Sequence, residues 1–400
     1  MFRLNILLIS CLGLASVAQA APFEVSRIFC HSSSGTYTSG LATLRSDSSR
    51  AYRAIDVNFV DTENRALNTI QSPVPVMSNN LEGLIFFVSN PENRPLGLYL
   101  AQSDYPMRRG EAKLLSPVPA TPPNVATMWN VSLQRAAIFN EQVAFSSSEN
   151  TFEILNWQNG TKVRSWKING IALNPAFSAD GEWLKADITT GKGAVTIQVF
   201  NTKTSEVLSL STSSNQQVGA AFISAEALAW SEGSAYQPAA DKTVELKVIS
   251  LAQLRAKKSA QTLTTKKMRV LRPFIVGYLP TRGGFAALTT ELFPSGSAIT
   301  PLQTAELEII SIGSDLKISS SEKITYNEEL LELSKKVSAS RELLLRNGVY
   351  SPFSEQIIFS NGNLGGVSSY SFANKQWSLH GNSDIYKCFN PVVGPEVTHE

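Results

Sequence analysis

Short apolar strands joined by polar turns recur along most of the 400-residue chain, and this periodicity limits the fold more than any other feature. The stretch NPAFSADGEWLKADI, residues 174–188, continues through a Gly191-Lys192-Gly193 turn into AVTIQVF, then through residues 201–204 into SEVLSLS. Near the C-terminus YSPFSEQIIFSNGN leads into VSSYSFANKQWSLHG, so that Pro352, Phe353 and Ser354 answer Pro175, Phe177 and Ser178. VAFSSSENTFEILNWQNGTKVRSW and LIFFVSNPENRPLGLYLAQSD follow the same order of strand, polar turn, strand and tight turn. One strand of each unit, marked by its central residue, gives Val57, Leu98, Ile154, Ile197, Leu246, Leu307 and Tyr370. Their mean spacing of about 52 residues is close to the period of a four-stranded propeller blade.

A strand of about five or six residues cannot bury both of its faces alone. Radial stacking of small sheets around an axis covers both faces and leaves only short edges. The expectation is therefore an all-β propeller of about seven four-stranded blades. Six or eight remain open, because the first and sixth units are the weakest.

Three stretches interrupt the period. Residues 103–125 carry five prolines and read as a long connection between blades. Residues 251–272 hold seven basic residues and no acid. They read either as a solvated long loop or as a patch for an anionic partner built on Arg255, Lys257, Lys258, Lys266, Lys267 and Arg269. Beyond Asn327, a possible cap, Leu330, Leu333, Val337 and Leu344 share one helical face and Gly348 supplies a stop. This predicts a helix inserted at 328–346, with two strands, LLELS and ELLLR, as the alternative.

Arg3 precedes an apolar run from Leu4 to Val17 that ends in Ala18-Gln19-Ala20, the pattern of a secretory signal. A lipobox reading, with Cys11 as a lipidated terminus, is the alternative. The expected division is a signal peptide at 1–20, one propeller domain at 21–390 and a tail at 391–400, with no transmembrane segment in the mature chain. Loss of Arg3 leaves 34 of the 35 Lys and Arg against 33 Asp and Glu. Such a nearly neutral surface gives no general attraction to polyanions, and no nucleic-acid partner is expected.

Processing leaves two cysteines, Cys30 and Cys388, one near each end of the mature chain. In an oxidising compartment the pair reads as a disulfide closing the ring, with two free thiols as the alternative. A strand from Phe23 to Phe29 is expected to complete the last blade from the other end of the chain.

The Pro-x-Phe-Ser-x-Asp-Gly turn and following strand at Pro175–Ala186, with a weaker echo at Pro352–Phe359, resemble the blade repeat of TolB-type periplasmic propellers and of propeller domains attached to some serine peptidases. The resemblance implies a propeller used for protein contact or as a gate over a separate catalytic domain. In it Asp180 and Gly181 shape the turn and Phe177 packs between blades.

Catalytic signals are scarce. No Gly-x-Ser-x-Gly nucleophile elbow occurs. His380 and Asp384 could form an oriented base, but a histidine near a surface turn is the simpler reading. Cys30, His31, His380 and Cys388 could meet as a zinc site, though neither end has the short ligand spacing of one. Trp129, Trp157, Trp166, Trp183 and Trp230 could line a sugar site or pack between blades. The expected function is an exported, non-catalytic interaction module of the bacterial periplasm or cell exterior, bound to another envelope or extracellular protein, with no cofactor or metal. The alternative is a carbohydrate-binding or polysaccharide-processing propeller whose central funnel holds carboxylates about 5 or 9 Å apart.

Overall fold

The computed structural model describes residues 26–33, 39–45, 53–55, 58–63, 70–78, 81–88, 97–103, 109–118, 136–190, 195–210, 218–232, 242–268, 270–279, 284–291, 306–332, 346–351, 355–360, 367–380 and 387–395. Within them 29 strands assort into seven sheets. The chain begins with β1 (Ser26–Ser33), β2 (Ser39–Arg45) and β3 (Arg53–Ile55), followed by β4 (Asn58–Asp61), β5 (Ile70–Ser78), β6 (Leu81–Val88), β7 (Gly97–Ser103) and β8 (Arg109–Pro117). Blade 3 is β9 (Ala136–Phe139), β10 (Gln142–Ser148), β11 (Thr151–Asn156) and β12 (Lys162–Lys167). Blade 4 is β13 (Ile171–Phe177), β14 (Trp183–Thr189), β15 (Val195–Asn201) and β16 (Val207–Leu210). Blade 5 is β17 (Val218–Ser224), β18 (Ala227–Glu232), β19 (Lys242–Ser250) and β20 (Gln261–Met268). Blade 6 is β21 (Val270–Leu279), β22 (Gly284–Glu291), β23 (Glu306–Ile312) and β24 (Ile318–Ile324). Blade 7 is β25 (Arg346–Ser351), β26 (Gln356–Ser360), β27 (Val367–Ser371) and β28 (Gln376–His380), and β29 (Lys387–Pro395) ends the chain's strands.

The first strands of the sheets touch in sequence: β5 with β9, β9 with β13, β13 with β17, β17 with β21, β21 with β25, β25 with β29, and β29 with β5 again. That cyclic order makes them the inner wall of a closed ring. Blade 1 runs β29-β1-β2-β3 outward, so the C-terminal strand supplies its innermost position. The expectation that an N-terminal strand completes the last blade is corrected: blade 7 is whole, and the borrowed strand sits in the first blade. β29 also extends to Pro395, past the expected boundary at 390.

Blade stacking explains why the strands are apolar on both faces. Along β11, Phe152 and Ile154 pack towards blade 4 with Leu184, Ala186 and Phe200, whereas Leu155 joins Leu98 and Leu100 of blade 2, the sheet of β5–β8. Val199, Phe222 and Trp230 fill the next interface, Val248 and Phe285 the one after, and Leu307, Phe359 and Trp377 that between blades 6 and 7. Six of the seven marker residues, Leu98, Ile154, Ile197, Leu246, Leu307 and Tyr370, lie buried on the third strand of their blades. Val57 lies outside the described residues.

The turn after β13 shows what the Ser-x-Asp-Gly pattern does. Ser178 Oγ accepts from the Trp183 N–H at 3.0 Å, and its own hydroxyl bonds Asp180 Oδ1 at 2.6 Å. Asp180 Oδ1 also accepts from the Glu182 N–H at 3.0 Å. Burial raises the Asp180 pKa, but the Ser178 and Glu182 hydrogen bonds outweigh it and hold the carboxyl below its ordinary value of 3.8. A depressed carboxyl stabilises the fold above its unfolded pKa and ceases to do so as pH falls through the folded one. The melting-temperature gap between wild type and Asp180→Asn is therefore expected to hold at neutral pH and to close below 3.8.

A second repeated contact is absent from the sequence pattern. In blades 3, 4, 5 and 7 the residue before the second strand, Glu141, Glu182, Glu226 or Glu355, offers its carbonyl to the N–H that follows the third strand, at Trp157, Thr202, Leu251 or Phe372. These bonds, 2.8–3.1 Å long, seat one turn of the blade on the other.

Two interruptions resolve differently from expectation, and the third starts as the expected helix. Residues 103–125 include β8, the fourth strand of blade 2, rather than a bare connection. β4 runs parallel along the outer edge of β8, pairing Asn58 with Arg109 and Asp61 with Ala112, and makes this the five-stranded sheet. Of residues 251–272, 251–255 form a short helix, 261–268 form β20 and 270–272 open β21, so the stretch is not one long loop. Residues 328–332 are helical, with Asn327 Oδ1 accepting from the Leu330 N–H at 2.9 Å; 333–345 lie outside the described residues, and Arg346 already belongs to β25.

Candidate functional site

The basic segment begins with helix α1 (Leu251–Arg255). A capping box starts it: Ser250 Oγ accepts from the Gln253 N–H at 3.1 Å, and Gln253 Oε1 accepts from the Ser250 N–H at 3.0 Å. Leu251 and Leu254 are buried with Leu208, Leu210 and Ile249, which presses the helix onto the outer side of blades 4 and 5. Its C-terminus is closed by the Lys257 N–H to Leu254 carbonyl and Lys258 N–H to Gln253 carbonyl bonds. Lys257 takes φ +54°, where glycine is the usual residue.

A groove of about 730 Å³ opens between β16 and this turn. Leu208, Leu210, Trp230, Ile249 and Leu254 form its apolar lining, and Lys247, Arg255, Lys257 and Lys258 bring four cations to it. Two of these are answered. Arg255 grips Glu206 with two bonds of 2.6 and 2.9 Å, and Lys247 lies 3.1 Å from Glu245. The guanidinium holds the Glu206 carboxyl below its usual range and is itself pushed up. Arg255 also stands 5.7 Å from the centre of the Trp183 ring. Lys257 and Lys258 are exposed and have no ion-pair partner among the described residues.

Of the basic residues expected to act together, the structure gathers Arg255, Lys257 and Lys258 at the groove. Lys266 and Lys267 sit further along β20, opposite Val244 and Thr243, on the order of 20 Å of strand away. Arg269 lies outside the described residues. Lys247 and Ile249 were not marked by any sequence pattern, and Trp230 was marked only as one tryptophan among five, since they come from two other strands. The capping box Ser250-x-x-Gln253 was a readable signal for α1, hidden by the basic run behind it.

Lys257 also separates stability from binding. Lys257→Gly relieves the left-handed backbone and is expected to stabilise the protein by about 1 kcal/mol while removing a groove charge. Denaturant unfolding reads the first effect directly.

The other candidates fare less well. Trp157, Trp166, Trp183 and Trp230 are all buried, and Trp157 Nε1 donates to the Asn140 carbonyl at 2.9 Å; they pack blades rather than line a sugar site. Trp129 lies outside the described residues. The seven innermost strands contain no Asp or Glu, and instead carry Arg272, Arg346 and Lys387 near the starts of β21, β25 and β29. An acid–base pair in the funnel could come only from the connections. His31 and Cys30 lie on β1, His380 on β28 and Cys388 on β29; Asp384 is outside the described residues. In the β1–β29 ladder Cys388 stands opposite Ser32, two positions from Cys30, and the register shifts between Phe29 and His31.

Seven radially ordered sheets closed by pairing of the two chain ends define a seven-bladed β-propeller. No family model matches the sequence, and no curated protein does. Solved structures are similar to this chain at low identity. TolB from Acinetobacter baumannii is 15% identical, with 78% of this chain and 67% of that one covered at a TM-score of 0.43. The tricorn protease is 10% identical over 92% of this chain and 36% of that one, at 0.48. The propeller domain of the trilobed protease from Pyrococcus furiosus, which has an open velcro topology, is 9% identical over 78% and 82%, at 0.45. Among the described residues no helix is long and apolar enough to cross a membrane.

Proposed function

We propose that this chain is an exported propeller without catalytic machinery that binds another envelope or extracellular protein through the groove between blades 4 and 5. The observation that carries the reading is the join of an apolar lining to a rim on which Lys257 and Lys258 remain unpaired among the described residues. An acidic segment with apolar side chains suits both parts. Export rests on the N-terminal apolar run and its Ala18-Gln19-Ala20 end. A Cys30–Cys388 bridge belongs to the same proposal. It would link diagonal positions, normally about 7–8 Å apart, and so needs the irregular register at Cys30.

The test is affinity capture from envelope extracts with the chain starting at Ala21. Wild type is expected to retain a protein that rising salt releases, and Lys257→Glu/Lys258→Glu is expected to lose it. Equal capture by both proteins contradicts the reading.

A further inference from the structure

We propose that β16 accepts an extended acidic segment of the partner protein as a fifth strand of blade 4, laid along the groove. This rests on the reading of the groove as the binding site and adds how the occupant is held.

β16 is the outermost strand of its sheet and pairs with β15 alone. The Asn201 N–H to Glu206 carbonyl bond at 3.0 Å fixes the alternation of the ladder. Leu208 and Leu210 then face their backbone groups to β15, while Val207 and Ser209 face theirs away. Among the described residues no backbone bond reaches those outward groups. Edge strands are commonly protected by charge, and β12, β20 and β24 follow that rule with Lys162, Lys266 and Lys323 among their residues. β16 reads Val-Leu-Ser-Leu and carries no charge, and Val207 is 39% exposed.

The chain itself shows that an outer edge of this ring takes a further strand, since β4 lies along β8 in that way. At blade 4 the corresponding place borders the groove. An added strand would set alternate side chains over Leu208, Leu210 and Leu254, within reach of Lys257 and Lys258. Glu206 and Glu245 oppose an acidic visitor, but each is already engaged by Arg255 or Lys247. The local excess is therefore positive, and the occupant it fits is an extended segment alternating acidic and apolar residues.

The probe is a terminally blocked, fluorescent octapeptide alternating Glu and Val, titrated at low salt against the chain starting at Ala21. Binding is expected below about 1 mM. Lys257→Glu/Lys258→Glu should weaken it at least about tenfold. Ser209→Pro should do the same with an unchanged melting temperature, because proline is tolerated where an edge N–H faces outward. A probe methylated on every backbone nitrogen keeps its charges but cannot pair, and should bind wild type at least about tenfold more weakly. That probe decides the matter should Ser209→Pro lower the melting temperature. If the charge reversal weakens binding while Ser209→Pro and the methylated probe leave it unchanged, strand pairing is overturned and the groove reading stands. If the charge reversal has no effect, or the probe does not bind, both are overturned.

Discussion

Ending the chain at Tyr386, so that β29 is lost, is expected to abolish cooperative unfolding altogether. The deletion takes the innermost strand from blade 1, along with the pairing from Ser26–Pro395 to Ser33–Lys387. β25 and β5 each lose the strand they pack against on that side, and the ring is open at its axis. Domains of this kind hold a net stability of about 5–15 kcal/mol, the small difference between burial and chain entropy, and the loss of one whole strand with two inter-blade contacts exceeds it. Calorimetry should show no transition and a hydrophobic dye should bind the truncated chain. A truncated protein that melts like the full one would mean the ring does not depend on its seam.

The second large effect is expected at Gly181. Its φ of +70° lies where side chains other than glycine are strained, and a Cβ there would stand 2.1 Å from Phe139 Cε1. Phe139 cannot swing away freely, because its ring packs on Phe177 at 5.6 Å across the blade 3–blade 4 boundary. Gly181→Val therefore combines left-handed strain for a branched residue with overpacking, and should cost about 3 kcal/mol in denaturant unfolding. Phe139→Ala in the same chain should recover part of that loss, since it removes the clash and leaves only the backbone strain. A loss undiminished by Phe139→Ala would place the whole effect in the turn.

The periodicity was readable because each blade is buried on both faces, so its third strand needs a large apolar residue at a fixed depth. Leu98, Ile154, Ile197, Leu246, Leu307 and Tyr370 all meet that need. The first unit differs from the others for a topological reason. Blade 1 takes its inner strand from the other end of the chain, so its third position is β2 and the count starts out of phase. The proline-rich stretch misled because Pro117 is the last residue of β8, and a proline at a strand end interrupts no central ladder.

The groove was only half legible. Arg255, Lys257 and Lys258 stood out as a charge run, and they do border it. Leu208, Trp230 and Lys247 converge on it from β16, β18 and β19, and no spacing along the chain announces such a meeting. The inter-turn bonds made by Glu141, Glu182, Glu226 and Glu355 were equally hidden, because they use backbone carbonyls and ask nothing of the side chain.

Closure of the ring by β29 against β1 is tested most directly by engineered cross-linking in the chain starting at Ala21. Ser32 and Cys388 are direct register partners, and directly opposed positions in an antiparallel pair lie within disulfide range. With Cys30→Ser in place, Ser32→Cys should form a bond to Cys388 under mild oxidation, leaving no free thiol, whereas Ser26→Cys, opposite Pro395, should leave both thiols free. Two free thiols in the Ser32→Cys protein, or equal bonding by Ser26→Cys, would contradict the closure described above.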